Sequence, residues 1–274
     1  MGKTRKIVSL LVVMTMVFAS AAFLSACGES MTPEQKYDAA NKNLKNAEDV
    51  SLEDGTITAS IDMGGQTMDV NMDMDAKYIN DKEDPMNMQM AMNLSAQLFG
   101  EKMDVHTYLK DKTMYTDSNG TKTKTPMDEE SMKQLEKYLA ENADKDASIA
   151  DYVTESSEED GVVTLKLDGQ KVIKNAMSKL DEEDVDNEQL KQIEKTIEQL
   201  GLKTITAKAT IEDENFKDLQ YSTTLNVDPA LLGMGADTSS NTTDKVKIKV
   251  TIKFGEIKTN TGLKIEFPDL SDYK

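Results

Sequence analysis

Apolar and polar residues alternate over several long segments of this 274-residue chain, and this alternation constrains the fold more than any other feature. In the segment that begins at Gly55, for example, Ile57, Ala59 and Ile61 alternate with threonine and serine. A period of two places every second side chain on the same face of a β-strand, so such a strand has one buried and one wet face. The sequence therefore predicts a large antiparallel sheet that is covered on one face.

The segments that follow continue the alternation and are rich in methionine. Strands are predicted over residues 68–76, 86–98, 101–109 and 112–117, and the last of them turns at Asn119-Gly120. The residues predicted to face inward on the first three of these strands are Met68, Val70, Met72, Met74, Ala76, Met86, Met88, Met90, Met92, Leu94, Ala96, Leu98, Met103, Val105, Thr107 and Leu109.

Helical periodicity marks four other segments, residues 33 to about 49, 128–147, 170–180 and 187–200, with Thr32 as the N-cap of the first. Further strands are predicted at residues 152–156, 162–167, 205–211, 219–227, 246–254 and 263–267. One curved antiparallel sheet, a half-barrel with helices packed on its concave face, satisfies this order most simply. The prediction is an α+β fold in which residues 33–274 form a single domain.

The N-terminus has the features of an export signal. A basic cluster within the first six residues precedes an apolar run over residues 7–24, which ends in Leu24-Ser25-Ala26-Cys27. This sequence resembles the lipobox of bacterial lipoproteins. The resemblance implies that residues 1–26 are a signal peptide, that Cys27 is acylated on sulfur, and that residues 27–32 tether the domain to the outer face of the cell membrane.

Composition argues against several classes of function. The formal charge of −18, which becomes three units more negative once residues 1–26 are removed, argues against nucleic-acid binding. A single cysteine cannot form an intrachain disulfide, and a single histidine removes most nucleophile–histidine schemes. Since no phosphate-binding loop, metalloprotease motif or nucleophile elbow is present, the chain is predicted not to be an enzyme and to need no cofactor.

The order of elements resembles that of a known group of proteins. The N-terminal helix, the long meandering strands and the segment Tyr-Leu-Lys-Asp-Lys-Thr-Met-Tyr at residues 108–115 are similar to those of the LolA/LolB/LppX-like group and of uncharacterised Gram-positive lipoproteins. The resemblance implies a half-barrel whose cavity, between sheet and helices, takes acyl chains or lipidated cargo.

The methionines allow three interpretations. As flexible side chains they can simply fill a core that is poor in aromatic residues, or they can form an adaptable lining for a lipophilic ligand. Thioethers also bind Cu(I), but no cysteine or well-placed histidine supports a copper site here. If a ligand cavity exists, its predicted lining is Met68, Met72, Met74, Met86, Met88, Met90, Met92, Leu94 and Met103.

A long loop over residues 228–244 carries Leu231, Leu232 and Met234 together. Exposed apolar groups favour aggregation, so these three residues are predicted to cover the mouth of the half-barrel, or else to anchor a flexible insertion. The acidic run at residues 181–188 does not fit an EF-hand, and it is interpreted as an acidic helix N-terminus without bound metal.

Two basic features lie on predicted outward faces. His106 lies on the same face of its predicted strand as Lys102 and Asp104, so its side chain is expected in solvent. Lys245, Lys247, Lys249 and Lys253 form a stripe on one strand, which is either a solubilising face or a contact for anionic lipid or polymer.

Two functions from different classes therefore remain open. The first is a monomeric, membrane-anchored lipoprotein that binds or shields a lipophilic ligand or lipidated protein. The second is a cell-envelope interaction module with a filled core and no ligand. A cavity of at least ~300 Å³ lined by methionine, leucine and isoleucine would favour the first.

Overall fold

The computed structural model describes residues 31–62, 66–81, 87–98, 101–128, 148–177, 201–228 and 246–274. Several predicted features lie outside these residues: the signal peptide, Cys27 with most of its tether, Met86, the acidic run 181–188, the helix at 187–200, most of the helix at 128–147, Lys245, and Leu231, Leu232 and Met234.

The described residues form twelve strands and two α-helices. The helices are α1 (Pro33–Lys45) and α2 (Gly169–Met177), and a single 3₁₀ turn spans Ile149–Asp151. The strands are β1 (Asp49–Asp62), β2 (Thr67–Ile79), β3 (Gln89–Leu98), β4 (Glu101–Lys110), β5 (Thr113–Ser118), β6 (Thr121–Pro126), β7 (Val153–Glu159), β8 (Val162–Asp168), β9 (Thr204–Glu212), β10 (Asn215–Val227), β11 (Val246–Phe254) and β12 (Glu256–Thr259).

All twelve strands belong to one open, curved antiparallel sheet, which confirms the predicted α+β half-barrel. The strand order is β6-β5-β4-β3-β2-β1-β11-β10-β9-β8-β7, and β12 pairs with the beginning of β1. The sheet thus consists of two meanders, β1–β6 and β7–β11, that join side by side where β1 pairs with β11.

Helix α1 packs on one face of the second meander, and we call this the inner face of the sheet. Thr32 caps the helix, as the sequence predicts, and the structure adds a capping box with Gln35 that satisfies two backbone N–H groups. The Tyr37 ring meets Phe216 edge-on at 5.0 Å, and its hydroxyl is hydrogen-bonded to that of Tyr221. Neither helix of the described residues is long and apolar enough to cross a membrane.

Strand β1 begins earlier than the alternation predicts, and α1 ends correspondingly earlier. A β-bulge between Leu52 and Gly55 shifts the register, so the alternation that starts at Gly55 is only the second part of the strand. A Cβ on Gly55 would lie 2.2 Å from the backbone oxygen of Met74, so only glycine fits at this approach. The strand prediction that began at Gly55 was therefore too short, because the bulge interrupts its period.

The strand predicted at residues 263–267 is wrong, since residues 262–270 form no ladder and the last strand is β12. Residues 262–274 instead run across the outer face of the sheet, and we call them the C-terminal strap. Phe267 meets Tyr108 edge-on at 6.3 Å, and Tyr273 meets Tyr115 at 5.5 Å. An extended segment on a sheet face alternates like a strand, which explains the error.

A buried carboxylate holds the start of the strap. Asp49 accepts hydrogen bonds from the backbone N–H and the hydroxyl of Thr261, at 2.9 and 3.0 Å, and from the N–H of Gly262 at 2.9 Å. At the other end, the N–H of Lys124 on edge strand β6 donates to the carbonyl of Lys274 at 2.7 Å. The strap is therefore fixed at both ends by hydrogen bonds.

Candidate functional site

The first meander carries the methionines on its inner face, as parity predicts. In the ladder between β2 and β3, Met74 lies opposite Leu94 and Ala76 lies opposite Met92, so apolar side chains are adjacent across the strands. We call this surface the methionine face. Its described members from the predicted lining are Met68, Met72, Met74, Met90, Met92, Leu94 and Met103, while Met88 precedes β3 and is half-buried.

Burial differs between the residues beneath α1 and most of the methionine face, although Ile57, Val70, Ala96 and Leu109 on the inner face of the first meander are buried as well. On the second, the inward residues Leu165, Ile205 and Leu225 are fully buried, and α1 contacts β7 to β10. On the methionine face only Met72 is buried, at 5% exposure, whereas the other six members are half-buried. Apolar area that keeps contact with solvent in this way is available to a ligand.

The outer face of the same strands is polar. His106 is half-buried on this face, and its Nδ1 lies 2.7 Å from Oδ1 of Asn93, so it points away from the methionines. His106 therefore cannot serve as a ligand for copper bound at the methionines. In the described ranges, no group of three histidine, cysteine or acidic residues is arranged to hold a metal ion.

Three depressions on the described surface are lined mostly by polar residues. One of about 520 Å³ lies beside the start of α1, and one of about 540 Å³ lies under the C-terminal strap. A third, of about 340 Å³, lies on the outer face of β9 to β11. None of the three meets the predicted criterion of a cavity lined by methionine, leucine and isoleucine, so these depressions do not favour a lipophilic ligand. The candidate site for such a ligand is the methionine face, which is an apolar surface.

The buried tyrosine pair under α1 is structural. Burial raises the pKa of Tyr221 to about 12, while its hydrogen bond with Tyr37 lowers it by a smaller amount. Burial also raises the pKa of Tyr37 far above its usual range, and the nearby Tyr221 adds to this rise. Both hydroxyls therefore stay neutral at physiological pH and join the helix to the sheet.

Sequence reasoning missed the strap and the hydroxyl-lined depression on the outer face. The strap could have been suspected from Phe267 and Tyr273, two aromatic residues near the end of a chain that has few. The depression is lined by residues of β9, β10 and β11 together, so it requires the strand order and has no local signal.

Comparisons with solved structures found distant likenesses, among them the following three. LprF from Mycobacterium bovis has 14% identity and a TM-score of 0.35, over 87% of this chain and 96% of that chain. A DUF1329 family protein from Desulfovibrio piger has 9% identity and a TM-score of 0.27, over 86% and 96%. The ywiB protein from Bacillus subtilis has 7% identity and a TM-score of 0.20, over 78% and 93%. At such low TM-scores these likenesses carry no argument.

No curated protein matches the chain. A family profile does match it, over residues 34–270, which is nearly the whole of the predicted domain. The matched range includes both meanders, α1, the methionine face and most of the strap. The chain therefore belongs to the family of unknown function DUF6612.

Proposed function

We propose that this chain is a non-catalytic bacterial lipoprotein, anchored to the outer face of the cell membrane through Cys27, that binds a lipophilic ligand or the lipid part of a cargo protein on its methionine face. The single observation that carries the proposal is that most residues of the methionine face are less buried than the inward residues beneath α1. One inner face is closed under α1, and the other presents half-buried methionines to an incoming group.

Physical chemistry supports this use of the methionine face. Removing apolar surface from water contributes about 25 cal/mol per Å², so a ligand that covers these side chains gains free energy from each of them. Methionine has three rotatable bonds and a polarisable sulfur, so the surface adapts to chains of different shape. An acyl chain is a flexible apolar group of the kind that such a surface accommodates.

The second candidate, an interaction module without a ligand, is favoured by the polar depressions. All three lie away from the methionine face, and each is lined by hydroxyl, amide or charged side chains. Under this alternative, the methionines only fill space and the outer face makes the functional contacts.

A fluorescent fatty acid distinguishes the two candidates. We expect Met90→Gln with Met92→Gln to weaken its binding at least fivefold, because two inward thioethers become polar amides of similar shape. The protein would be the form that begins at Ser30, since the buried apolar core lies between Tyr37 and Tyr273. Native mass spectrometry of the same form would show any lipid that co-purifies.

The matched control is Asn93→Ala with Gln97→Ala, two exposed outward positions on the same strand. We expect this variant to bind the fatty acid within twofold of the original protein. Equal binding by the methionine variant and the control, or no binding by any form, would support the interaction module instead.

The anchor is tested separately. We expect Cys27→Ser to abolish both acylation and the cleavage that depends on it, because serine has no thiol to accept the lipid. Mass spectrometry of the N-terminal peptide from bacterial membranes measures both changes. A mutant that carries the same lipid-modified N-terminus as the original would refute the lipobox prediction.

A further inference from the structure

A cluster of five lysines lies on the outer face of the second meander. They are Lys203, Lys208, Lys247, Lys249 and Lys253, and we call them the lysine patch; all five are exposed. Across the part of the chain that the structure describes, these five ammonium groups make no ion pair. Seven other lysines are paired with carboxylates: Lys36, Lys77, Lys102, Lys122, Lys166, Lys217 and Lys258. Further described lysines, such as Lys112 and Lys264, also make no ion pair within the described ranges. What distinguishes the patch is that its five lysines lie on β9 and β11, the two neighbours of β10, or directly before β9.

Short hydroxyl side chains fill the space between these lysines. Lys249 and Lys203 line the depression of about 340 Å³, together with Thr204, Thr206, Ser222, Thr224 and Asn226. Along β11, Lys249 lies between Ser60 of β1 and Thr224 of β10. Hydroxyls and ammonium groups are both hydrogen-bond donors to phosphate oxygens, and such short neighbours leave the ammonium groups accessible.

Acidic residues bound the patch at the start of β10 and beyond β11. Asp218 on β10 lies two residues before Gln220, which pairs with both Lys208 and Lys253. Asp62 lies opposite Lys247, and Asp69 and Asp73 on β2 lie one strand beyond β1. Two inter-strand spacings, roughly 10 Å, separate β2 from β11, which is about one Debye length at physiological salt. A narrow anion that follows β10 and β11 thus meets the lysines while the β2 carboxylates are screened.

The shape of this boundary selects among anionic partners. A bilayer surface is an extended plane and would also approach the β2 carboxylates, which it repels. Sequence-tolerant binding of single-stranded nucleic acid relies on aromatic side chains for base stacking. The aromatic residues of β9 to β11 are Phe216, Tyr221 and Phe254, and all three pack into or against the core on the inner face, away from the patch. A flexible chain of phosphate groups without bases can avoid the β2 carboxylates and needs no aromatic side chains for stacking.

We infer that the lysine patch and its hydroxyl-lined depression bind a flexible phosphodiester polyanion, a chain of phosphates joined by small polyols that lies along β10 and β11. This site is separate from the methionine face, which lies on the opposite side of the sheet and in the other meander.

Binding of fluorescently labelled poly(glycerol phosphate) tests the inference. The full chain is reconstituted in phosphatidylcholine vesicles, and polymer that co-sediments with the vesicles is measured at several salt concentrations. We expect Lys249→Gln with Lys253→Gln to weaken binding at least tenfold. The slope of log affinity against log salt should become shallower by about 1 for each lysine lost.

The matched control is Lys112→Gln with Lys264→Gln, which removes the same charge from exposed positions outside the patch. We expect it to bind within twofold of the original chain. Equal losses in both variants would show a general charge effect and overturn the inference, as would the absence of polymer binding.

A second arm tests the bilayer as the partner. The full chain is placed in phosphatidylcholine vesicles with and without phosphatidylglycerol, and a water-soluble amine reagent measures how accessible Lys249 and Lys253 are. We expect equal reactivity in both vesicles and protection by poly(glycerol phosphate). Protection by phosphatidylglycerol alone would assign the patch to the membrane and overturn the inference.

Discussion

Replacing Val250 by aspartate should unfold the protein. Val250 is 2% exposed and lies on the inner face of β11, between Ala59 of β1 and Thr223 of β10. A carboxylate at this position must be buried without a partner or disrupt the strand that joins the two meanders. We expect a loss of at least about 4 kcal/mol in the free energy of unfolding, measured by urea denaturation.

The adjacent residue provides the control. Thr251 points to the outer face, is half-exposed, and lies between Thr58 and Ser222. We expect Thr251→Asp to change the free energy of unfolding by no more than about 0.5 kcal/mol, as surface substitutions usually do. Equal denaturation midpoints for the two variants would mean that the faces of β11 are assigned incorrectly.

Asp49→Ala should release the C-terminal strap from the sheet. The substitution leaves the N–H groups of Thr261 and Gly262 without their acceptor. Hydrogen bonds to a charged acceptor contribute about 1.5–3 kcal/mol, so we expect a loss in this range. Hydrogen exchange of residues 262–274 should accelerate, whereas Asp73→Ala, at an exposed outer position of β2, should leave it unchanged.

The same contact should depend on pH. Burial raises the pKa of Asp49, but hydrogen bonds from Thr261, Gly262 and Leu263 together lower it further, so the net shift is downward. A carboxyl group with a lowered folded pKa stabilises the fold above its unfolded pKa of about 4 and loses this effect as the pH falls. Protection of the strap from hydrogen exchange should therefore decrease on acidification below pH ~4. The decrease should be smaller in Asp49→Ala, where the remaining pH dependence comes from groups such as Asp269, whose pKa is lowered by hydrogen bonds from Ser271.

The inner faces of most strands could be predicted from the sequence because their parity is unbroken. Val70 and Met72 on β2, and Val246 to Ile252 on β11, are buried as the alternation predicts. Predictions from the alternation were wrong where the backbone departs from a regular, paired strand. The bulge before Gly55 hid the start of β1, and Ile265 and Phe267 alternate because the strap lies flat on the sheet.

The candidate sites were predictable to different extents. The methionine face follows from parity on neighbouring strands, because consecutive strands joined by short turns pair with each other. The stripe of Lys247, Lys249 and Lys253 was also visible in the sequence. The addition of Lys203 and Lys208 was not, since it depends on β9, β10 and β11 being neighbours in the sheet.

The strand order also determines when the sheet can be completed during synthesis. Each meander is built from strands that follow one another in the chain, so its ladders close over far fewer residues than the pairing of β1 with β11 and at a lower entropic cost. The ladder between β1 and β11 joins the two meanders and costs more entropy to close, because Ile57 pairs with Ile252, roughly 195 residues later. Until β11 is made, β1 is an unpaired edge at the side of an apolar face, a state that is prone to aggregation. The nascent chain must therefore keep its first meander soluble until nearly its last residues emerge.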